Sequence, residues 1–389
     1  MPSESLLFGG IYGRGDAAAQ VGDAAWLAAM LDVEAALARA VAAEGLIPEA
    51  AGDQIAAACR PEAFDVEAIG RDGAEHASPV VALVRALRGN VDEEVREYVH
   101  LGATSQDVLD TALMLIAKRA LGPLLADAGA AADAAAELAD RHRATPMIGR
   151  TLLQQALPLP FGLRAAGWLV GIDDTRDRLA SVRELELAVQ MGGPVGARSP
   201  AVAARVAAEL ELAEPVLPWQ AIRTRPAGLA AALGAHSGVL GKVARDVTLL
   251  AQQEVGEVSE GGGPGRGGSS AMAHKHNPVA AVSVLACVKR VPGLVAGVLG
   301  AMEQEHERAA GAWQAEWGMH SELLALTGSA TAWARELLQG LQVDPERMLE
   351  NLRRSPAGGT EMPEGAGDLI DRALASHRAT DTVTIGRMR

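Results

Sequence analysis

Aromatic side chains are scarce in this chain: six Trp, three Phe and two Tyr make up 3% of 389 residues, although hydrophobic residues reach 49%. The apolar content is therefore mostly Ala, Leu and Val, and Ala and Leu rank among the best helix formers. That balance predicts an all-α protein of closely packed helices with a sizeable core. Cysteine is scarcer still. Cys59 and Cys287 form no CxxC pair and no metal-ligand cluster, which argues against a disulfide framework and fits a reducing cytoplasm. The opening MPSESLLFGG has no basic segment followed by an apolar one, so no signal peptide is expected. No uncharged apolar run reaches about 18 residues, so no membrane span is expected either. Positive charge is in deficit: the net charge is −14 and the pI near 5.2, which disfavours nucleic acid as a partner. An anionic ligand would have to be held by placed cations and helix N-termini against that field.

Helical periodicity is plain in two places. From Asp23 to Ala43, the residues Trp26, Met30, Val33, Leu37 and Val41 recur at steps of four and three, with Gly45 as a stop and Pro48 opening the next helix. Between Pro226 and Val258, Leu229, Leu233, His236, Leu240, Val243, Val247 and Leu250 alternate the same steps over three heptads. This seam predicts coiled-coil-like contacts, with His236 a satisfied interior residue, and suggests partner subunits to cover it. A further helix is expected after Thr104-Ser105, broken or kinked at Gly122-Pro123, and another from Pro158 and Pro160 toward Glu186. No period-2 strand run stands out. An extended helical bundle follows.

The segment Gly267–Pro278, GGSSAMAHKHNP, is the densest in chemistry. Glycines before it exclude a helix interior and let backbone N–H groups approach a ligand. Asn277-Pro278 reads as an N-cap and first helical residue, so Ser269, Ser270, Lys275 and Asn277 are expected at the positive end of a helix, a seat for an anion. These residues resemble the GSSxMPxKxNP loop of the fumarase/aspartase superfamily, with Ala273 in place of the usual proline. The resemblance implies Ser269 as catalytic acid or base with Ser270 beside it, Lys275 and Asn277 on a substrate carboxylate, and Met272 in the same site.

Three other segments carry the resemblance further. His100–Asp107, HLGATSQD, is similar to the superfamily's HxGATSQD element and implies Thr104 and Ser105 on a carboxylate with His100 and Gln106 nearby; capping by Thr104 or Ser105 explains only part of it. Gly149–Pro158, GRTLLQQALP, resembles the TxxQxAxP element and implies substrate contacts from Thr151 and Gln154. Adenylosuccinate lyases commonly have a proton-transferring histidine directly after that threonine; here Leu152 stands there, as in muconate cycloisomerases. Glu305–Trp317, EHERAAGAWQAEW, resembles the EHERxxGxWHAEW run of bacterial 3-carboxy-cis,cis-muconate cycloisomerases, with Gln314 for the second histidine. Read as one helix, it aligns His306, Ala310, Trp313 and Trp317 along a face, and His306 becomes a site residue. His76 also matches a substrate-contacting position, though an ordinary helix-end histidine explains it equally well.

The resemblance covers the chain to about Asn351. It implies a fumarase/aspartase-like helical bundle divided into an N-terminal helical domain (1–100), a central long-helix domain carrying the site loops (101–340) and an abbreviated C-terminal helical region (341–389). It further implies a homotetramer with sites shared between subunits, a small tricarboxylate substrate, no metal and no organic cofactor. The activity implied is lactonising cycloisomerisation of 3-carboxy-cis,cis-muconate in protocatechuate degradation. Two alternatives stand beside it: a superfamily lyase releasing fumarate from an adenylosuccinate- or argininosuccinate-type substrate, and a non-catalytic helical oligomer on the same scaffold.

Overall fold

A computed structural model describes residues 7–261, 266–268, 272, 275–356 and 361–387, with side chains to residue 379. A short α1 (Gly9–Tyr12) precedes α2 (Asp23–Ala43), α3 (Glu49–Ala58), α4 (Val66–Ala74) and α5 (Pro79–Gly89). Met30, Val33, Leu37 and Val41 are buried as their spacing predicts, while Trp26 donates from its edge to Ser321 Oγ at 2.8 Å. Pro48 precedes α3 directly.

The centre is a bundle of long helices: α6 (Ser105–Arg141), α7 (Phe161–Ser181), α9 (Thr224–Leu250) and α12 (Ala312–Gln339), with α8 (Pro200–Leu210) against α2 and the pair α10 (Val279–Val288) and α11 (Val291–Gly300) against α9 and α12. α6 packs on α2, α7 and α12. Of the break or kink expected at Gly122-Pro123, the break does not occur, because α6 runs through Pro123 for 37 residues. One missing N–H is outweighed by burial on three sides. α7 ends in a π-turn at Val182–Glu186, close to the expected boundary.

The α9 seam needs correction on one point. Leu229, Leu233, His236, Leu240, Val243, Val247 and Leu250 are buried, but the chain's own α7, α10, α11 and α12 cover them. The surface left uncovered lies elsewhere. Val279–Gly300 is long and apolar enough to be compared with a membrane span, yet Lys289 and Arg290 interrupt it between α10 and α11, and Val282 and Leu299 remain about half exposed.

Strands were not anticipated and are present. β1 (Pro146–Thr151) and β2 (Gln154–Pro160) form an antiparallel hairpin, and β3 (Val258–Glu260) pairs with β4 (Leu341–Val343). Prolines at 146, 158 and 160 mask the alternation in β1 and β2. The chain closes with α13 (Pro345–Arg353) against β1, and α14 (Ala366–Arg387) returning along α7 and α6.

Candidate active site

At one end of the bundle, Thr104 is the N-cap of α6 and its N–H donates to Asp107 Oδ2 at 3.1 Å. The same buried carboxylate accepts from the Gly192 and Gly193 N–H groups at 2.9 and 2.8 Å and from Gln190 Nε2 at 3.1 Å. Asp107 thus welds the HLGATSQD turn to the MGGPVGARS turn; burial raises its pKa in spite of these donors. The two turns meet through glycine. Gly193 has φ +67°, and a Cβ there would stand 2.9 Å from the Gly102 carbonyl oxygen.

Gln106 is fully buried and engaged within the chain: it donates to the Gln220 carbonyl at 2.6 Å and to Asp110 Oδ2 at 3.1 Å, and accepts from Arg308 at 3.2 Å. Arg308 also donates to the Pro194 carbonyl at 3.1 Å, so the EHER turn closes over both preceding turns. His306 lies in that turn, exposed and with φ +45°, ahead of α12. The single-helix reading of His306, Ala310, Trp313 and Trp317 therefore fails: only the tryptophans lie on α12, their rings edge to face at 4.9 Å. Glycine at 311, with φ +116°, sets the late start.

Beneath this end lies a buried ion cluster. Arg223 donates to both oxygens of Asp110 (2.6 and 3.0 Å) and to Glu316 (2.6 Å), under the Trp219 ring at 5.0 Å. Trp313 Nε1 donates to Asp110 at 3.0 Å. The two carboxylates share one guanidinium, with Gln304 Nε2 donating to Glu316 at 3.0 Å beside the Trp313 bond to Asp110, and the cluster fixes α6, α12 and the entry to α9.

Two residues at this end went unread in the sequence. Arg198 donates through Nη2 to the Leu101 carbonyl at 2.9 Å, while its buried Nη1 has no protein partner among the described residues. Glu34, on α2, is 1% exposed and places Oε1 2.5 Å from His100 Nδ1. A carboxylate held by Arg198 beside Thr104 and Ser105 fits the chemistry of this donor set. Half of α2 reads as an ordinary core helix, so Glu34 gave no signal; GGPVGARS, a glycine-rich turn ending in arginine, could have been found.

The other elements gather at the opposite end. Lys275 is exposed, Met272 is 44% exposed and Asn277 is half-buried, its N–H donating to the Gly267 carbonyl at 2.8 Å. Ser269 and Ser270 lie outside the described residues. The helix-start reading shifts by one residue: Pro278, not Asn277, is the N-cap of α10. The helix's first N–H groups are taken by the chain itself, because Glu260 accepts from Ala280 and Ala281 at 2.9 and 2.8 Å. Arg266 pairs with Glu336 at 3.0 Å and lies over the Trp333 ring, and Arg14 pairs with Glu336 at 2.7 Å over the same ring.

Thr151 and Gln154 face each other across the hairpin, both exposed. The two-residue tip is Leu152-Leu153, with φ +50° and +64°, a conformation that leucine seldom adopts, and with exposures of 95% and 75%. Arg150, at the hairpin's base, grips buried Glu257 through two bonds of 2.7 and 2.9 Å, tying the hairpin to β3. His76 lies on the surface against Arg85 at 3.2 Å.

The two ends are far apart within one chain. α6 carries Thr104 at its start and the hairpin beyond its end, and 37 residues of helix span about 55 Å. α9 and α12 repeat the separation, with Arg223 and Trp313 at one end and Glu257 and Glu336 toward the other.

Comparison with known proteins identifies the scaffold. A family model described as lyase matches residues 16–293. The chain belongs to the fumarase/aspartase superfamily of lyases. It is 45% identical to the 3-carboxy-cis,cis-muconate cycloisomerase of Bradyrhizobium diazoefficiens over 85% of this chain and 75% of that one. It is also 44% identical to the nitrosuccinate lyase of Streptomyces davaonensis, over 94% and 82%. Among solved structures, the 3-carboxy-cis,cis-muconate lactonizing enzyme of Pseudomonas putida matches with a TM-score of 0.86 at 32% identity, covering 93% of this chain and 96% of that one.

Proposed function

We propose that this lyase-family chain closes 3-carboxy-cis,cis-muconate to 4-carboxymuconolactone, a step of protocatechuate degradation, in the cytoplasm. The observation that carries the reading is Leu152 at the hairpin tip. Its aliphatic side chain cannot transfer a proton where an adenylosuccinate-type site needs one, whereas a cyclisation, whose nucleophile is already a carboxylate, needs no proton group there.

In bond terms, one substrate carboxylate adds across a C=C bond and a proton is delivered to the neighbouring carbon. The intermediate carbanion is delocalised into a second carboxylate, whose added charge must be met by fixed donors. Lys275 and Asn277 supply them in this reading, Thr104, Ser105 and Arg198 hold another carboxylate, Thr151 and Gln154 contact the substrate, and the Ser269 hydroxyl, with Ser270, serves as acid or base.

The site would be shared between copies of the chain in a homotetramer. Supporting this, Thr104 and Gln154 lie at opposite ends of a helix about 55 Å long, and the exposed Leu152-Leu153 tip and the half-covered α10–α11 face offer apolar surface to bury. The division at residues 100 and 340 remains our proposal for domain limits.

One specific observation favours a second reading. The nitrosuccinate lyase relative aligns over 94% of this chain. β-Elimination from nitrosuccinate also passes through a carbanion next to a carboxylate, with nitrite leaving, and would use the same donors. Incubation of the purified protein with 3-carboxy-cis,cis-muconate, with the product identified by NMR, tests the first reading. Formation of the lactone supports it; unchanged substrate beside nitrite release from nitrosuccinate supports the second.

A further inference from the structure

The chain's other histidines are poorly placed to carry a proton. His236 is buried between Thr175 and Thr331, and burial pulls its pKa to about 4. His320 is buried and pulled to about 3 by burial and the Arg223 charge. His377 bridges Asp173 and Asp133 on the outer side of α7, and His142 contacts Thr145. His76 sits against Arg85 on the surface, and His276 and His306 are exposed with no hydrogen bond to a described carboxylate. His274 lies outside the described residues.

His100 combines three features. Its Nδ1 is 2.5 Å from Glu34 Oε1, and Glu34 is withdrawn from water at 1% exposure, so the ring is oriented by a carboxylate whose other oxygen has no described partner. Its Nε2 has no protein partner among the described residues, and its side chain is 15% exposed, in the same turn as Thr104 and next in sequence to Leu101, whose carbonyl Arg198 holds. Its backbone is held at φ +65°, where a non-glycine residue is uncommon and where strain is tolerated mainly at functional sites. Electrostatics points the same way: burial lowers the His100 pKa, but the charge and hydrogen bond of Glu34, aided by Asp107, outweigh it and leave the imidazole above its ordinary value.

We propose that the His100–Glu34 pair is the proton source of the reaction, an assignment that rests on the cyclisation reading above. As the carboxylate oxygen forms its C–O bond, the π pair of the C=C bond moves to the neighbouring carbon. The N–H bond at Nε2 breaks, that proton forms the new C–H bond, and neutral imidazole remains until solvent recharges it. The Ser269 hydroxyl of the proposed function would pass one proton on as it takes another and leave the balance unchanged. Glu34 never leaves Nδ1; it is a positioning residue that keeps the ring charged and aimed.

Two variants test the pair once the wild-type protein's lactone formation has been measured. His100→Asn suits the backbone, because asparagine accepts the left-handed conformation. It should keep its circular dichroism and lose roughly 10²–10⁴-fold in kcat. Glu34→Gln keeps an acceptor for Nδ1–H but removes the charge. Because the proton donor works in its charged form, activity is lost as pH rises through the His100 pKa, above 6.5 in the wild type. The Glu34→Gln profile should lose its alkaline limb at lower pH, a shift that a purely structural role would not produce. A folded His100→Asn protein within about threefold of wild type overturns the assignment, as does an unmoved limb in Glu34→Gln. A wild-type protein that leaves the muconate unchanged instead overturns the functional reading, and this assignment with it.

Discussion

The carboxylate of Glu260 accepts the Ala281 N–H at 2.8 Å and, through its other oxygen, the Ala280 N–H at 2.9 Å, so the positive end of α10 is closed by the chain's own charge. The sequence suggests that end as an anion seat; in the structure Glu260 occupies it, so the anion of the proposed function falls to Lys275 and Asn277. Glu260→Ala removes a charged cap. It should cost about 0.5–2 kcal/mol, read as a lower urea midpoint at unchanged slope.

Binding and chemistry should separate by position. Lys275 is assigned to the carboxylate that gains charge in the transition state, so Lys275→Met should depress kcat and raise KM together. Thr104 is assigned to a carboxylate whose charge changes less, so Thr104→Val should act mainly on KM. Steady-state kinetics of the two variants checks the division, and a Thr104→Val loss confined to kcat contradicts it.

Sharing of sites predicts complementation. Ser269→Ala and Gln154→Ala should each be impaired by roughly 10²-fold or more, and co-refolding them should restore part of the activity. Mixed tetramers then contain some sites built only from unmutated segments. A mixture no better than its parents, or a monomer by light scattering, contradicts sharing.

Much of this was legible in the sequence because helix signals are local. The α2 and α9 stripes, the Thr104 cap and the Pro48 boundary all come from spacing and capping chemistry within a few turns. What was missed depends on distant partners. Glu34 meets His100 across 66 positions, and Arg308 reaches Gln106 across 202. The hairpin escaped notice because proline and leucine occupy positions where a strand and tight turn normally show other residues. The α9 seam was seen correctly, but periodicity cannot say whether its cover comes from the same chain or another.

The buried His236 gives a pH-dependent stability with a defined sign. Its folded pKa, lowered by burial from 6.5 to about 4, lies below the unfolded value, so the unfolded chain binds more protons between those limits. Stability should be flat above about 6.5 and fall as pH drops toward 4, by on the order of 3 kcal/mol from this group. His320 acts in the same direction. Urea denaturation across that range should show a shallower slope for His236→Gln than for wild type; equal slopes contradict the assignment.

The most direct test of the functional account compares kcat/KM for 3-carboxy-cis,cis-muconate, followed by its ultraviolet absorbance, with that for nitrosuccinate, followed by nitrite, adenylosuccinate and argininosuccinate being run in parallel. The account predicts rapid loss of the muconate absorbance with lactone as product, and little or no turnover of the other three. Nitrite or fumarate release with the muconate left intact would contradict it.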